Sequence, residues 1–182
     1  WYEDGYPWVP FHQSSNGMTR SAEEVTGSKD YPYIAAKECP LDKEAEDEIQ
    51  VFSFGYSEIQ EKCRDFLVAA EGEDEARQGY SFEDFEIQSR DSSGYVQKLR
   101  IGKTVCTGDQ FRDALSLPSS DFSFSEDGNK MKITTSGKGH GLGMSLWTAN
   151  EMAKEGKTCE EILNFFFEGT SLKNDVQESD LI

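Results

Sequence analysis

Apolar residues in the last third of the chain recur at helical spacing. They predict a helix over residues 145–154, which stops at Gly156. A second helix is expected after the capping box that runs from Thr158 to Glu161, with a stop at Gly169. Two helices joined by so short a connection predict a C-terminal helical hairpin.

The middle of the chain alternates apolar and polar residues, which is typical of half-buried strands. Strands are predicted over residues 49–54, 82–87 and 95–101, and a hairpin joins residues 122–124 to 131–133. Two helices interrupt them, one over residues 57–67 with Ser57 as cap and Gln60 at the capping-box position, the other after the Thr107–Gln110 capping box. This order predicts an α+β fold with a mainly antiparallel sheet.

The first third of the chain carries turn formers rather than a clear period. Pro7 and Pro10 make residues 6–11 an extended segment or edge strand. Residues 12–19 form a small polar loop, and residues 21–42 are expected to continue as loop. Acidic runs at residues 42–48 and 72–79 are expected to be solvated.

Composition limits the partners that the protein can have. The 182 residues fit one domain, and twelve Phe, seven Tyr and three Trp supply a core. The net charge of −17 repels phosphate and anionic lipid, so neither nucleic acid nor a membrane surface is an expected partner. The chain has no run of about 20 apolar residues and no signal-peptide pattern after Trp1, so we expect that something upstream is missing.

The four cysteines, Cys39, Cys63, Cys106 and Cys159, are widely spaced. They form no CxxC pair, so no zinc site is predicted from them. Disulfides that would suit an exported protein and reduced, buried thiols are both compatible with this spacing.

The candidate site centres on residues 137–145, where glycine recurs at every second position around His140. Glycine lets backbone lie close to a ligand or adopt positive φ, but the same pattern suits a tight strand-to-helix connection. Helix amides near Ser145 are expected to donate to substrate oxygens. No GxGxxG or P-loop pattern is present.

His12 is the other histidine of the chain, and it too begins a loop of small polar residues. Two histidines beside such loops predict a shared cleft. A Ser–His–Asp triad built on Ser14, Ser15 or Ser145 is disfavoured because the chain lacks a GxSxG elbow.

These segments resemble the SpoIID/LytB family, the stage II sporulation protein D and amidase-enhancer group. Residues 139–149 read GHGLGMSLWTA, similar to the family's GHGxGMSQ(Y/W)GA, and residues 161–170 read EILNFFFEGT, similar to EILxxYYxGT. Residues 12–19, HQSSNGMT, are similar to its HSTSGGxT loop, and residues 32–34 to its PYL segment. The chain departs from the pattern at Asn16 and Thr148, where the family has glycine, and at Leu146, where it has Gln.

The resemblance implies a lytic transglycosylase that acts on peptide-free glycan strands of peptidoglycan. In such enzymes one Glu acts first as general acid and then as general base, while the muramic acid C6 hydroxyl attacks the anomeric carbon. That Glu lies upstream of the HSTSGG loop in the family, so residues 1–182 are expected to be the C-terminal part of the domain, with 173–182 as a flexible tail. No catalytic residue is therefore assigned. The alternatives are a non-catalytic wall-binding or amidase-modulating protein, and a structural domain that kept the fold without the site.

The resemblance also implies where and what the protein binds. The expected partners are glycan strands and other cell-wall hydrolases, outside the cytoplasm, with secretion or anchoring through upstream residues. No cofactor or metal is implied. The expected glycan-binding residues lie in the two loops: His12, Ser14, Ser15, Gly17, Thr19, Gly139, His140, Gly141, Gly143, Met144 and Ser145.

Overall fold

A computed structural model describes residues 1–3, 5–67 and 79–173. The strands of this part of the chain are β1 Phe11–His12, β2 Ile49–Gly55, β3 Phe85–Arg90, β4 Val96–Ile101, β5 Thr104–Cys106, β6 Phe122–Asp127, β7 Lys130–Ser136 and β8 Met144–Ser145. Its α-helices are α1 Ala22–Thr26, α2 Tyr56–Cys63, α3 Gly108–Leu115, α4 Leu146–Lys154 and α5 Cys159–Phe166. The expected tail after Lys173 and the acidic loop before Gly79 lie outside the described residues.

The described strands form two antiparallel sheets and one short parallel pair. The first sheet has the order β2-β7-β6 and the second the order β3-β4-β5, whereas β1 and β8 pair in parallel. With α4 and α5 packed together after the last strand, the predicted α+β class is confirmed.

The larger core lies among the two antiparallel sheets and helices α2 and α3. It contains apolar side chains from every one of these elements, and Leu99, Phe111 and Ile133 are fully buried in it. Aromatic rings fill much of its volume, and the Phe111 ring lies 5.4 Å from that of Phe122.

A second core joins the C-terminal helices to the first part of the chain. Phe166 and Phe167 pack there with Tyr33 and Ile34, and Leu142 from the glycine-rich segment belongs to the same cluster. This packing fixes the glycine-rich segment against residues that precede it by more than a hundred positions.

Local sequence signals explain most of the element boundaries. Two of the three predicted capping boxes are present, at the start of α3 with Thr107 as cap and at the start of α5 with Thr158 as cap. The predicted hairpin is β6–β7, whose turn has Gly128 at φ 62°.

Several boundary predictions were wrong. Helix α2 begins at Tyr56 directly after β2, so Gly55 is its cap and Ser57 lies inside the first turn. That helix ends at Cys63 rather than at residue 67, and α5 ends at Phe166 rather than at Gly169. The segment expected to be loop over residues 21–42 contains α1 and the start of a 3-10 turn, Pro40–Glu44.

All four cysteines are free thiols, and three of them are buried while Cys159 is exposed. Burial raises the pKa of Cys39 and of Cys63 to about 12, and that of Cys106 to about 11. The structure therefore follows the reduced alternative, with buried thiols that behave as small apolar side chains.

Candidate functional site

The two candidate loops lie side by side, joined through their backbones. Met144 donates its amide to the carbonyl of Pro10 at 3.0 Å, and the amides of Gln13 and Ser14 both donate to the carbonyl of Lys138 at 3.1 Å. The return bond runs from the Lys138 amide to the Ser14 carbonyl at 2.8 Å. Direct pairing of the two segments therefore places the two histidine loops, which were expected to share a cleft, side by side.

Two of the glycines allow this close pairing. A Cβ on Gly143 would lie 2.1 Å from the carbonyl oxygen of Pro10, and a Cβ on Gly139 would lie 2.6 Å from Cβ of His12. Both residues have positive φ, 70° at Gly143 and 115° at Gly139. Neither a ligand nor a tight strand-to-helix connection, the two explanations that spacing left open, is needed for these two glycines, because they let the segment approach the protein's own residues 10–12.

The backbone of a single residue, Leu142, hydrogen-bonds both histidines. Its carbonyl lies 3.0 Å from Nδ1 of His12, and its amide donates to Nδ1 of His140 at 3.0 Å. A carbonyl only accepts and an amide only donates, so Nδ1 carries the proton in neutral His12, whereas Nε2 carries it in neutral His140. The two rings lie 5.8 Å apart in opposite tautomers.

Both histidines are held in the neutral form. Burial lowers the pKa of His12 from 6.5 to about 4, although the Leu142 carbonyl and Asp42 oppose the shift. Burial also lowers the pKa of His140, and nearby Arg112 adds to this effect, while the backbone carbonyl of Phe11 and the carboxylate of Asp109 act against it. At pH 7 the pair is therefore an uncharged donor and acceptor set.

Asp42 lies beneath the two loops and is fully buried, so the expectation that its acidic run is solvated is wrong for this residue, although Glu44, Glu46 and Asp47 of the run are exposed. It accepts bonds of 2.6 Å from the amide and the hydroxyl of Ser15. It also accepts from the Ser145 hydroxyl at 2.8 Å and from the Thr148 hydroxyl at 2.6 Å. Four donors offset the cost of burying this charge, so Asp42 ties both loops to the start of α4.

The start of α4 is used by the protein itself rather than offered to a ligand. Ser145 is the N-cap, and its hydroxyl accepts the Thr148 amide at 3.3 Å, while the Trp147 amide donates to the Gln13 carbonyl at 3.0 Å. The expectation that helix amides near Ser145 donate to substrate was wrong for these two amides.

Arg20 is a buried support of the site that no sequence pattern predicted. Its side chain is 2% exposed, and its guanidinium bonds Asp91 at 2.7 Å and Asp109 at 3.0 Å. It also donates to the carbonyl of His140 at 3.2 Å, and its own amide donates to the Gly141 carbonyl at 2.7 Å. No sequence signal separates this arginine from a surface one, because its acidic partners lie 71 and 89 positions away.

The predicted site residues divide into buried and accessible groups. The buried ones are His12, Ser14, Ser15, Thr19, Gly141, Gly143 and Ser145, and the half-buried ones are Gly17, Gly139, His140 and Met144. Within the described residues, Nε2 of His12 and the Ser14 hydroxyl have no hydrogen-bond partner. Thr19 is engaged, because its hydroxyl accepts the Lys37 amide at 2.8 Å.

Two departures from the family pattern have structural roles. The Asn16 side chain donates to the carbonyl of Ser93 at 2.9 Å and to the carboxylate of Asp121 at 2.8 Å. Thr148 supplies one of the four bonds to Asp42. Leu146, by contrast, is 42% exposed.

Over residues 1–3, 5–67 and 79–173, no group of three or more His, Cys, Asp or Glu side chains could hold a metal ion. Over the same residues, no helix is long and apolar enough to cross a membrane.

Sequence comparisons with known proteins agree on one family. A scan against protein-family models finds no match. The chain is 31% identical over 179 residues to stage II sporulation protein D of Bacillus amyloliquefaciens, covering 98% of the chain and 47% of that protein. It is 32% identical over 162 residues to stage II sporulation protein D of Bacillus subtilis (strain 168), covering 89% of the chain and 44% of that protein.

An uncharacterised protein of Brachyspira hyodysenteriae is 35% identical over 89 residues, covering 47% of the chain and 24% of that protein. The chain thus spans about half the length of the sporulation proteins it matches, and the match to them runs along nearly all of its own residues. Over the part of those proteins that it spans, the chain belongs to the stage II sporulation protein D family.

Proposed function

We propose that this protein acts in sporulation, on the bacterial cell wall outside the cytoplasm, and that its paired loops bind glycan strands of peptidoglycan. The observation that carries the proposal is the joined pair of loops, which brings His12 and His140 to within 5.8 Å in neutral, opposite tautomers. Sugars offer uncharged hydroxyl and amide groups, which such a donor and acceptor set complements.

In this proposal the accessible residues of the site contact the glycan and the buried ones hold them in place. His140, Gly139 and Met144 are half-buried and available for contact, whereas the half-buried Gly17 lies against the Lys43 side chain. Asp42 and Arg20 position the accessible residues. Asp42 is fully buried and accepts hydrogen bonds from Ser15 and Ser145, one in each loop. Arg20 is 2% exposed and donates to the backbone carbonyl of His140. Peptide-free strands are the proposed substrate, on the resemblance stated above.

The proposed reaction is the lytic transglycosylase step. An acid protonates the glycosidic oxygen, the bond from that oxygen to the anomeric carbon breaks, and the muramic C6 hydroxyl attacks the same carbon. The hydroxyl proton passes to the conjugate base of the acid, which leaves a 1,6-anhydro end.

The two carboxylates that act on the histidine pair are poorly suited to be that acid. Asp42 accepts four hydrogen bonds, and Asp109 accepts from Arg20 and from the Ser120 hydroxyl. Because both carboxylates already serve as acceptors, we assign this part of the protein to binding and positioning. The same observation favours a second candidate, a wall-binding or amidase-modulating protein that performs no chemistry.

The test compares the 182-residue chain with the full-length gene product on peptide-free glycan strands, with products identified by mass spectrometry. We expect both proteins to retain the strands and only the full-length protein to form anhydro-muramic ends. Retention without product by the full-length protein would favour the non-catalytic candidate. Failure of both proteins to retain glycan would contradict the proposal.

The control variants separate binding from folding. His140→Ala is expected to weaken retention, whereas the exposed Lys103→Ala, on the turn between β4 and β5, is expected to leave it unchanged. Equal retention by the two variants would argue for a structural domain without a working site.

A further inference from the structure

The two loops share a property that is unusual in this chain, the absence of charged residues. Asp, Glu, Lys and Arg make up 29% of the sequence, yet none occurs in residues 5–19 or in residues 139–150. These are the two segments that pair through β1 and β8, so the fold brings two uncharged stretches together into one surface.

The strand pair has distinct inner and outer faces. Phe11 pairs with Met144 and His12 with Ser145, and paired residues of neighbouring strands point to the same face. His12 and Ser145 are buried, at 4% and 0% exposed, whereas Phe11 is 60% exposed. The outer face therefore carries Phe11 and the half-buried Met144, and the exposed Gln13 and Leu146 adjoin it in the chain.

The outer face adjoins the histidine pair. The Phe11 carbonyl interacts with the His140 ring, and the Gln13 carbonyl holds the first turn of α4. The charged groups that act on the His140 ring are Arg112, Asp109 and Arg20, and each of them is already paired. Arg20 bonds Asp91 and Asp109, and Arg112 bonds Asp113 at 2.6 Å.

We infer that this outer face is a sugar-stacking platform and that Phe11 is its central, specificity-determining contact. The inference rests on the proposed function and names the part of the substrate that is read, namely the uncharged pyranose ring. One face of such a ring presents C–H groups, which pack on an aromatic ring, while Gln13 and His140 can hydrogen-bond its substituents. Because Phe11, Gln13, Met144 and Leu146 carry no charge, this face suits the neutral N-acetylglucosamine unit better than muramic acid, whose lactyl carboxylate is ionised in a peptide-free strand.

The experiment measures binding of an oligomer of β-1,4-linked N-acetylglucosamine, which carries no charge, by calorimetry at about 50 mM and about 500 mM salt. We expect binding at both, with dissociation constants that agree within about twofold, because no ion pair is screened. Phe11→Ala is expected to raise the dissociation constant about tenfold. Phe11→Trp keeps an aromatic ring at this position, so it is expected to bind as the unaltered protein does. The matched control is Ile49→Ala, since Ile49 is 65% exposed on β2 and lies outside both uncharged segments.

Each other outcome has one meaning. Binding of peptide-free glycan without binding of the uncharged oligomer, or binding that is lost at high salt, would overturn the platform and leave the proposed function standing. Equal binding by Phe11→Ala and Ile49→Ala would also overturn the platform and leave the proposed function standing. Failure of the unaltered protein to bind either sugar would overturn both. A dimer that dissociates on Phe11→Ala, seen by sedimentation, would identify the face as a contact between copies and reject the sugar.

Discussion

Ser145 donates a 2.8 Å hydrogen bond to the buried carboxylate of Asp42, which lies 103 positions earlier in the chain. Ser145 is also the cap of α4, so the same hydroxyl begins a helix and anchors it to the 3-10 turn that carries Asp42. Because Asp42 accepts from Ser15 as well, one carboxylate links both candidate loops. The rigidity of the site should therefore depend on this residue.

Asp42→Asn tests that dependence. The amide keeps the size of the side chain but replaces one acceptor oxygen with an NH2 donor. If the NH2 replaces Oδ1, the hydroxyls of Ser145 and Thr148 lose their acceptor, and if it replaces Oδ2, the amide and hydroxyl of Ser15 lose theirs. We expect the free energy of unfolding, measured by urea denaturation, to fall by about 3 kcal/mol. Glu46→Gln, at an exposed position of the same acidic run, should change it by less than about 0.5 kcal/mol. Equal stability of the two variants would show that the buried bonds contribute little.

Gly143→Ala tests the close approach of the two loops. An added Cβ meets the Pro10 carbonyl oxygen at 2.1 Å, at a φ of 70°. Gly128→Ala is the matched control, because Gly128 has a φ of 62° but nothing within 4 Å of an added Cβ. Thermal unfolding should show a loss of about 1 kcal/mol for the control, and at least about 2 kcal/mol more for Gly143→Ala. Losses of the same size would mean that the segment shifts freely.

The burial of His12 predicts a pH dependence of stability. Its pKa is 6.5 in the unfolded chain and about 4 in the folded protein, so the unfolded state binds more protons between these values. Stability should therefore fall as the pH is lowered through this window, by about 3 kcal/mol from this residue. His12→Asn keeps an N–H donor for the Leu142 carbonyl but does not titrate. Urea denaturation from pH 7 to pH 4 should give a shallower slope for the variant, and parallel slopes would refute the assignment.

The opposite tautomers of the two histidines can be observed directly. Long-range proton–nitrogen NMR correlations at pH 7 should show the proton on Nδ1 of His12 and on Nε2 of His140. The chain has two histidines, so the spectrum of His12→Asn assigns both signals. Matching tautomers in the two rings would contradict the bridging role of Leu142, whatever the protein binds.

Local patterns were sufficient for most elements of the fold. The capping boxes at Thr107 and Thr158, the hairpin around Gly128 and the helix after Ser145 all form where the sequence predicted. Each signal depends on residues a few positions apart, whose backbone bonds close within the same element. Signals of this kind do not require knowledge of distant contacts.

The sequence by itself determined the α+β order of elements and the presence of the family motifs. It also identified two histidines, each beside a loop of glycine and serine residues, as candidates for the site. Only the tertiary structure decided that Asp42 is buried and that Arg20 supports the site, because the burial of a charge depends on partners from distant segments. The same holds for the parallel pairing of β1 with β8, which brings His12 to the carbonyl of Leu142, 130 positions later. Packing of distant segments, rather than any local pattern, converts two separate loops into one site.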